Sequence, residues 1–400
     1  MSPLSHEEKD ALLTKVSRVL SETRYACSSL MQLTNGTTNF VFRGELAQPI
    51  FDEATGNTAS TVIVKHSLEH AALNKDLPID ASRALYEVAM LDALNDLPSG
   101  IIGIKAPRLH LFIRDTNIQI LEDFAATVDL KSLFVSPNPN RILTPLLAAS
   151  VGHDIGSWLR SFHDWSMSPN GRLKYIGDNE PMRKLKYAIT YGAYLKVLEN
   201  YFPDLLDGHG PPLEQVRNAA TREFGEVPEH GDGDNNWGII HGDFWTGNVL
   251  LPRDVSSSGT QHPGGVKLFI VDWEFAQFGH RAYDIGQMIG DIYERGHFSE
   301  AEGAIPAIEG FVKGYGGLEN DELAFRVAIH AGVQLIGWYI RRAPTAPLPF
   351  PLERVTDAMR IGRDWILKGW QKDRKYFKST PLALLFKGEV GLDKQPCSMK

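Results

Sequence analysis

The segment HGDFWTGN, residues 241–248, places an aspartate and an asparagine five positions apart in a short polar stretch. The apolar run VLL follows it directly, and a second apolar run leads into Asp272, 24 residues beyond Asn248. Residues 252–265, between the two runs, are rich in Ser, Gly and Pro, which favour turns. We therefore predict two neighbouring strands joined like a hairpin by an exposed loop, with a polar cluster at the end of each strand.

Two acids and an amide at this spacing suit phosphoryl transfer from ATP to an alcohol. That reaction needs a carboxylate to accept the hydroxyl proton and oxygen ligands to hold Mg²⁺ against the phosphates. Asp243 is the candidate base, and Asn248 and Asp272 are the candidate metal ligands. His241 is interpreted as a buried, hydrogen-bonded support, with a metal ligand as the alternative. Trp245 is interpreted either as a wall of the acceptor pocket or as a core residue.

The region upstream offers candidates for holding the nucleotide. Residues 28–65 contain short apolar runs separated by turn-forming segments, which predicts a small antiparallel sheet. Lys65 ends an apolar strand and Glu87 lies on a helix predicted over residues 80–95, so the two are a natural ion pair. A turn at residues 33–39 could cover phosphates with backbone N–H groups and hydroxyls. Its candidate ligands are Asn35, Gly36, Thr37 and Asn39.

Composition excludes several classes of protein. With 43% hydrophobic and 22% charged residues, the 400-residue chain is a folded globular protein. A net charge of −8 argues against nucleic acid or anionic membrane as a partner. Two cysteines, Cys27 and Cys397, cannot form the disulfide framework of a secreted domain. Charges interrupt the apolar residues of the first 22 positions, and no apolar run reaches about 18 residues. We expect a soluble, cytoplasmic protein.

The most specific stretch is IVDWEFAQFG at residues 270–279, followed by YDIG at residues 283–286. An Asp-x-Glu-Phe-Ala element with a trailing glycine and Asp-Ile-Gly resembles the aminoglycoside phosphotransferase and choline-kinase-like superfamily. Within it, the motif is most similar to the branch of 5-methylthioribose kinases and fungal hydroxytryptamine kinases. The similarity extends from about Leu33 to Trp370. Protein kinases instead carry Asp-Phe-Gly and a long segment ending in Ala-Pro-Glu, which this sequence lacks.

The resemblance implies a mixed α+β, protein-kinase-like fold of two lobes. It implies the roles given above, with Lys65 contacting the α- and β-phosphates, and it adds Asp284 as an acid that pins the loop of the base. The backbone at Glu122 and Phe124 would read the adenine edge. The implied division is an N-lobe at residues 1–121, a hinge at 122–125, a mostly helical C-lobe at 126–377 and a loosely attached tail at 378–400.

The acceptor pocket of such a family is built by the helical lobe, including a variable region at residues 336–351. Arg341 and Arg342 resemble a twin-arginine feature of the methylthioribose kinases. On a strand, Glu274 would face the same side as Asp272 and join it in the cleft, or it would form a structural salt bridge. The remaining candidate acceptor contacts are Trp338 and Tyr339.

These features predict ATP- and Mg²⁺-dependent phosphorylation of a small-molecule hydroxyl. Because the predicted cleft carries acids and no basic cluster in register, we expect a neutral or cationic acceptor such as a sugar, an amino-alcohol or a hydroxyaryl amine. Two alternatives stay open. One is a catalytically inactive nucleotide- or partner-binding protein, against which the intact set of polar residues argues. The other is a metal-dependent hydrolase using His241 and Asp243, which would leave Lys65 and Glu87 without a function.

Overall fold

A computed structural model describes residues 3–33, 36–52, 56–98, 103–167, 171–226, 236–253, 267–342 and 346–386. The strands of these residues are β1 (Cys27–Leu33), β2 (Phe40–Asp52), β3 (Asn57–His66), β4 (His70–Ala71), β5 (Asn74–Pro78), β6 (Ile104–Lys105), β7 (Leu109–Ile113), β8 (Ile118–Glu122), β9 (Thr127–Asp129), β10 (Trp237–Ile240), β11 (Val249–Pro252), β12 (Leu268–Ile270) and β13 (Gln277–His280). The helices are α1 (His6–Ser21), α2 (Arg83–Ala93), α3 (Leu130–Phe134), α4 (Pro139–Ile142), α5 (Pro145–Ser166), α6 (Gly171–Gly177), α7 (Glu180–Ile189), α8 (Tyr194–Tyr201), α9 (Gly210–Gly225), α10 (Ala282–Ser299), α11 (Ala304–Gly314), α12 (Asp321–Gly337), α13 (Leu352–Trp370) and α14 (Arg374–Phe377).

An antiparallel sheet with strand order β1-β2-β3-β8-β7 forms the first lobe. Side chains alternate across β3: Val62 and Val64 point into the core of this lobe, while Ile63 and Lys65 face a cavity on the other side. Helix α1 covers the core face and begins at Ser5, whose side chain forms a capping box with the first turn. The residues that α1 buries are Leu12, Val16 and Leu20.

Helix α2 lies between the sheet and the rest of the chain. Its charged residues Arg83 and Glu87 are one turn apart and both buried, so they share one face of the helix. Met90 and Leu91 belong to the core of the helical lobe. The helix therefore connects the two lobes and carries Glu87 beneath β3, which contains Lys65.

Two short sheets position the polar segments of the helical lobe. Strand β10 pairs antiparallel with β13, and β11 pairs antiparallel with β12. The chain passes from β10 through residues 241–248 into β11, and from β12 through residues 271–276 into β13, so both polar segments lie at the same end of these strands. The predicted pairing of two strands is confirmed for β11 and β12. Residues 254–265 of the predicted spacer lie outside the described residues.

Helices α5, α10, α11, α12 and α13 contribute most of the helical core. Among the described residues, the stretch Asp321–Arg341, which contains α12, is long and apolar enough to cross a membrane, with a mean hydropathy of 1.3. Within that stretch, 89% of the tested window is buried inside the fold. Its apolar character is that of a central core helix.

The end of the described chain corrects the prediction of a loose tail from residue 378. Leu382, Leu385 and Phe386 are buried, and Phe386 stacks on Phe377 with ring centroids 5.1 Å apart. These apolar residues would be costly to leave in water. The helical lobe therefore extends to residue 386, and residues 387–400 lie outside the described part of the chain.

Candidate active site

A cavity of about 520 Å³ opens between the sheet lobe and the helical lobe. Small-molecule sites commonly occupy roughly 300–1,000 Å³, so the cavity is large enough for a nucleotide-sized ligand. Its apolar lining includes Val41, Ile63, Leu121, Phe124, Leu250 and Val271. Its polar lining includes Lys65, Glu87, Asn248 and Asp272.

One buried carboxylate fixes the backbone of the loop at residues 241–248. Asp284, on α10, accepts hydrogen bonds from the N–H groups of His241 at 2.8 Å and Gly242 at 2.9 Å, and its carboxylate lies 3.2 Å from Nε2 of His163. Burial would raise the pKa of Asp284, but the contacts with His163 and His241 outweigh it and lower that pKa. Asp284 thus lies under the loop, as the sequence predicts.

Gly242 allows this loop to lie against the segment that contains Asp272. Its φ of +80° lies in the left-handed region, and a Cβ at this position would be 2.2 Å from the carbonyl oxygen of Phe275. Only glycine tolerates both constraints without moving the backbone.

His241 supports the loop through both of its ring nitrogens. Nε2 lies 3.1 Å from the carbonyl oxygen of Val271, and Nδ1 lies 3.3 Å from the N–H of Asp243, which donates to it. Burial lowers the pKa of His241, which favours a neutral ring that donates through Nε2 and accepts through Nδ1. The residue occupies the supporting position that the sequence predicts, with both nitrogens engaged.

Two amide side chains orient the carboxylate of Asp243. Oδ1 accepts a hydrogen bond from Nε2 of Gln287 at 2.6 Å. Nδ2 of Asn248 donates to the backbone carbonyl of Asp243 at 2.9 Å and to its Oδ2 at 3.3 Å. The Asp243 side chain remains only partly buried. A proton acceptor at this position is therefore held in a fixed orientation next to Asn248 of the cavity wall.

Asn248 and Asp272 lie on adjacent segments of the cavity wall. The N–H of Val271 donates to the carbonyl oxygen of Asn248 at 3.0 Å, which ties the two polar segments together. Asp272 adopts φ 69°, a left-handed conformation that is uncommon outside glycine, and its side chain is 32% exposed. Strained residues of this kind concentrate at functional sites. The expected strand at residues 272–274 is replaced by this turn and a 3₁₀ helix at Trp273–Phe275.

Lys65 forms the predicted ion pair with Glu87 and has further acidic neighbours. Its Nζ lies 2.9 Å from Oε1 and 2.7 Å from Oε2 of Glu87, forms a hydrogen bond to Asp272, and lies 3.8 Å from Glu274. Burial alone would lower the pKa of Lys65, but the charges of Asp272, Glu87 and Glu274 raise it above its ordinary value. Burial raises the pKa of Glu87, with Lys65 acting in the opposite direction. The ammonium is therefore held charged at the polar end of the cavity.

Nucleotide affinity provides a test of the Lys65–Glu87 pair. We expect Lys65→Ala and Glu87→Ala each to weaken nucleotide binding, Lys65→Ala more so, because Asp272 and Glu274 still hold the ammonium when Glu87 is removed. A double-mutant cycle measured by calorimetric titration should give a coupling energy of about 1–3 kcal/mol. Lys75→Ala is the matched control, because Lys75 forms an exposed pair with Glu8 at 3.0 Å in the same lobe. Additive losses would show that Lys65 and Glu87 act independently.

Glu274 joins the two lobes and does not face an acceptor site. Its carboxylate accepts hydrogen bonds from Thr38 Oγ1 at 2.6 Å, from Arg83 Nε at 3.1 Å and from the amide of Asn39. Glu274 is fully buried, so the interpretation of it as a substrate contact is wrong and the structural salt bridge is correct. Arg83, which the sequence reasoning missed, is buried beside it and also bonds to Asn39 Oδ1 at 2.9 Å.

The turn predicted to cover phosphates is only partly available for that role. Gly36 lines the cavity, and Thr37 is exposed but does not line it. Asn39 is buried and its side chain is committed to Glu274, Arg83 and Ser67, so its predicted role as a phosphate ligand is corrected to a structural one. Asn35 lies outside the described residues.

The hinge forms the boundary of the apolar part of the cavity. Glu122 and Phe124 both line it, and Phe124 stacks on Phe269 with centroids 3.8 Å apart. Asp123 between them is paired with Arg43 of β2 through two hydrogen bonds of 2.8 and 3.0 Å, which fixes the hinge to the sheet. The N–H of Glu122 donates to the carbonyl of Arg108, and the carbonyl of Phe124 accepts from the N–H of Thr127.

Three of the predicted acceptor residues pack within the helical lobe. Trp338 is buried against Phe298, with centroids 5.1 Å apart. Tyr339 is buried, and Arg342 stacks on its ring at 4.5 Å and donates to its hydroxyl at 2.9 Å. The prediction that Trp338 and Tyr339 contact the acceptor is therefore corrected to a role in the core, whereas Arg342 is only partly buried and its contact with the acceptor stays a prediction.

Trp245 and Arg341 are more accessible. The Trp245 ring is half-buried, lies directly over Gly247 and has the ammonium of Lys131 5.4 Å from its centroid. Arg341 is exposed; burial raises the pKa of Glu294 to about 7, and the charge of Arg341 opposes that rise. The roles of Trp245 and Arg341 as acceptor contacts stay predictions.

Helix α10 supplies contacts to loop 241–248 that the sequence reasoning missed. Asp291 accepts from the N–H of Thr246 at 3.1 Å and from its hydroxyl. Positions 284, 287 and 291 are spaced by three and four residues and so share one face of α10, each contacting the loop. This spacing, counted from the Asp-Ile-Gly motif, is the sequence signal that could have identified Gln287 and Asp291.

Fold and site together define a class of protein. A small antiparallel lobe with a buried Lys–Glu pair, joined by a hinge to a helical lobe with an Asp-x-x-x-x-Asn loop and a second aspartate, is the arrangement of a two-lobed, protein-kinase-like phosphotransferase. Residues 55–325 match the phosphotransferase enzyme family. The chain belongs to this family and is a small-molecule kinase. This confirms the predicted fold class, family and enzyme class.

The chain is also similar to known proteins over most of its length. The chain is 30% identical over 398 residues to the phosphotransferase FrzJ of Cladobotryum sp, covering 96% of this chain and 98% of that protein. It is 21% identical to a 4-hydroxytryptamine kinase of Psilocybe cubensis, over 82% of this chain and 85% of that one. Among solved structures, a choline/ethanolamine kinase family protein from Mesorhizobium loti aligns with a TM-score of 0.48 and 15% identity, covering 92% of this chain and 99% of that one.

Proposed function

We propose that this enzyme transfers the γ-phosphoryl group of ATP, with Mg²⁺, to the hydroxyl of a small, non-acidic molecule. The observation that carries the proposal is the pair of hydrogen bonds from Asn248 Nδ2 to Asp243. These bonds hold two functional groups together. The partly buried carboxylate of Asp243 is suited to accept the hydroxyl proton, and the amide oxygen of Asn248, in the cavity wall, is suited to bind a metal.

The cavity fits a nucleotide. Its apolar walls suit a purine, and the polar end at Lys65 suits phosphates. Since the N–H of Glu122 and the carbonyl of Phe124 are used within the chain, we expect the adenine edge to be read by the carbonyl of Glu122 and the N–H of Phe124. Lys65 would contact the α- and β-phosphates, and the backbone at Gly36 would cover them.

The donor set fits magnesium. Glu87, Asp272 and Glu274 have oxygens within 4.8 Å of one another, a cluster that could hold a cation. Lys65 contacts both Glu87 and Asp272, and Arg83 contacts Glu274. Because Glu87 and Glu274 are buried, the 32% exposed Asp272 is the carboxylate best placed to bind a metal together with Oδ1 of Asn248. When bound, Mg²⁺ would neutralise charge on the phosphates.

Residues of loop 241–248 would carry out the proton transfer. The acceptor oxygen forms a bond to the γ-phosphorus as the bond from that phosphorus to the bridging oxygen of ADP breaks, and the hydroxyl proton passes to the carboxylate of Asp243. Gln287 and Asn248 hold that carboxylate in orientation, so little reorganisation is needed during the reaction.

The carboxylates of Asp243 and Asp272 favour a non-acidic acceptor, because they would repel an acidic one. Arg295 of the same lobe is paired with Asp291 at 2.8 Å, which balances its charge. The 4-hydroxytryptamine kinases among the relatives make hydroxyaryl amines the first class to examine.

A substrate panel tests this proposal. We expect ADP release with Mg-ATP to be stimulated by one or more of the sugars, amino-alcohols, hydroxyaryl amines and aminoglycosides in the panel, with the highest kcat/KM outside a control set of sugar phosphates and hydroxy acids. The physical reason is that the carboxylates of Asp243 and Asp272 would repel an acidic acceptor. A sugar phosphate or hydroxy acid with the highest kcat/KM would contradict the charge argument. ADP release that no alcohol stimulates would contradict the transfer.

A further inference from the structure

A buried lysine of the helical lobe lies next to the candidate base and has no role in the proposed nucleotide binding or proton transfer. Lys186, on α7, is 1% exposed. Met182 and Lys186 are the buried residues of this helix and lie one turn apart, so the ammonium occupies a position that would ordinarily be apolar. Burying a charged side chain without a carboxylate partner is costly, and no salt bridge to Lys186 is formed among the described residues.

Lys186 is connected to Asp243 through one intermediate side chain. Its ammonium donates a hydrogen bond to Oε1 of Gln287, and Nε2 of the same amide donates to Oδ1 of Asp243 at 2.6 Å. Gln287 is itself 2% exposed. An amide has its acceptor on one side and its donor on the other, so donation from Lys186 to the oxygen requires the NH₂ group to face Asp243. With the amide reversed, its oxygen would face the carboxylate and repel it.

Titratable and charged groups from several elements face Lys186. Asp243 from loop 241–248 and Asp284 from α10 stabilise the ammonium, whereas Arg341 destabilises it. From α12, His330 also faces this lysine, and the charge of Lys186 contributes to lowering the pKa of His330. Burial, as the largest effect, lowers the pKa of Lys186 to about 8.

We propose that Lys186 is a positioning residue for phosphoryl transfer, acting through Gln287 to hold the carboxylate of Asp243 in the orientation that receives the acceptor's proton. This role rests on the proposed function. It explains why the charged side chain of Lys186 is buried without an ion pair among the described residues. It also explains why both the oxygen and the nitrogen of the Gln287 amide are hydrogen-bonded. Removing it should affect the chemical step and leave nucleotide binding in place.

Lys186→Met tests the role because methionine has a similar length without the charge or the donor. With Mg-ATP and the panel alcohol of highest kcat/KM, we expect kcat to fall about 10- to 100-fold, with the dissociation constant for Mg-ATP unchanged. Removing a buried unpaired charge should leave the thermal unfolding temperature unchanged or raise it. Lys184→Met is the matched control, because Lys184 lies on the same helix, is 75% exposed and should leave kcat unaffected.

A cycle with Gln287→Met separates action through Gln287 from a general structural role. If Lys186 acts through the amide, Lys186→Met should change kcat little once Gln287 has been replaced. A wild-type kcat in Lys186→Met would overturn the proposal. So would a reduced kcat that is additive with Gln287→Met, or one that accompanies a lower unfolding temperature. Absence of phosphoryl transfer by the wild-type chain itself would overturn the proposed function, and this role with it.

Discussion

Asp243→Asn is expected to lower kcat by about 10²–10⁴-fold and to leave the affinity for Mg-ATP within about twofold of the wild type. The reason is that, in the proposed function, Asp243 contacts the acceptor hydroxyl rather than the nucleotide. An asparagine keeps the size of the side chain and an oxygen for the hydrogen bond from Gln287, which is 2.6 Å long in the wild type, but it cannot take up a proton. Steady-state kinetics and calorimetric titration with a non-hydrolysable ATP analogue measure the two quantities separately.

The outcome that would contradict this assignment is normal turnover by Asp243→Asn. An equal loss of nucleotide affinity in Asp243→Asn and in the Asp272 variant described next would also contradict it, because the two carboxylates would then share one role. Gln287→Met provides an intermediate case. It removes one of the two amides that orient Asp243 and should lower kcat by less than the loss of the carboxylate itself.

Asp272→Asn is expected to weaken Mg-ATP binding by about 100-fold, or roughly 3 kcal/mol. This carboxylate is the exposed member of the cluster around Lys65, and its loss removes a charged oxygen ligand from the proposed magnesium site. Asparagine is the appropriate replacement because Asp272 adopts φ 69°, which asparagine tolerates better than alanine. Titration with ATP at several Mg²⁺ concentrations measures the effect.

Two results separate a metal ligand from a purely structural acid. A metal ligand should make the affinity defect depend on the Mg²⁺ concentration, while the unfolding temperature changes little. If Asp272→Asn binds Mg-ATP as the wild type does, the metal assignment fails. If its affinity loss is the same with Mg²⁺ and with a chelator, Asp272 acts only by holding Lys65.

The sequence predicted those parts of the site whose placement follows from the order of strands and helices along the chain. Lys65 ends a strand and Glu87 lies on the next helix, so chain order alone was enough to pair them, and the structure forms that pair. Asp284 is the aspartate of the Asp-Ile-Gly motif, and it lies under loop 241–248 as the resemblance implied. The pattern of strands and helices predicted a strand-rich lobe followed by a helical one, and the resemblance implied the protein-kinase-like fold class.

The parts that the sequence did not predict depend on contacts between distant segments. Glu274 was expected on a strand beside Asp272, but the left-handed turn at Asp272 directs Glu274 toward the sheet lobe, where it meets Arg83. Nothing in a single sequence shows that Asn39 will be held by a residue 235 positions away. The buried lysine at position 186 occupies an apolar position of α7 and gave no sequence signal of its own.

The burial of Trp338 and Tyr339 was missed for a related reason. Both follow a helix whose apolar character is explained by burial in the lobe, and an aromatic pair at the end of such a helix can face either a pocket or the core. The contacts of Tyr339 with Arg342 and of Trp338 with Phe298 decide between the two, and neither can be derived from spacing along the chain.

The central claim is that this chain moves the γ-phosphoryl group of ATP onto an alcohol by means of Asp243. The most direct test follows the fate of γ-labelled phosphate with Mg²⁺ and the best alcohol of the panel. We expect the wild type to transfer the label to the hydroxyl oxygen of that alcohol. We expect Asp243→Asn to do so at a rate about 10²–10⁴-fold lower. Label that is released only as inorganic phosphate, at the same rate with and without the alcohol, would contradict it.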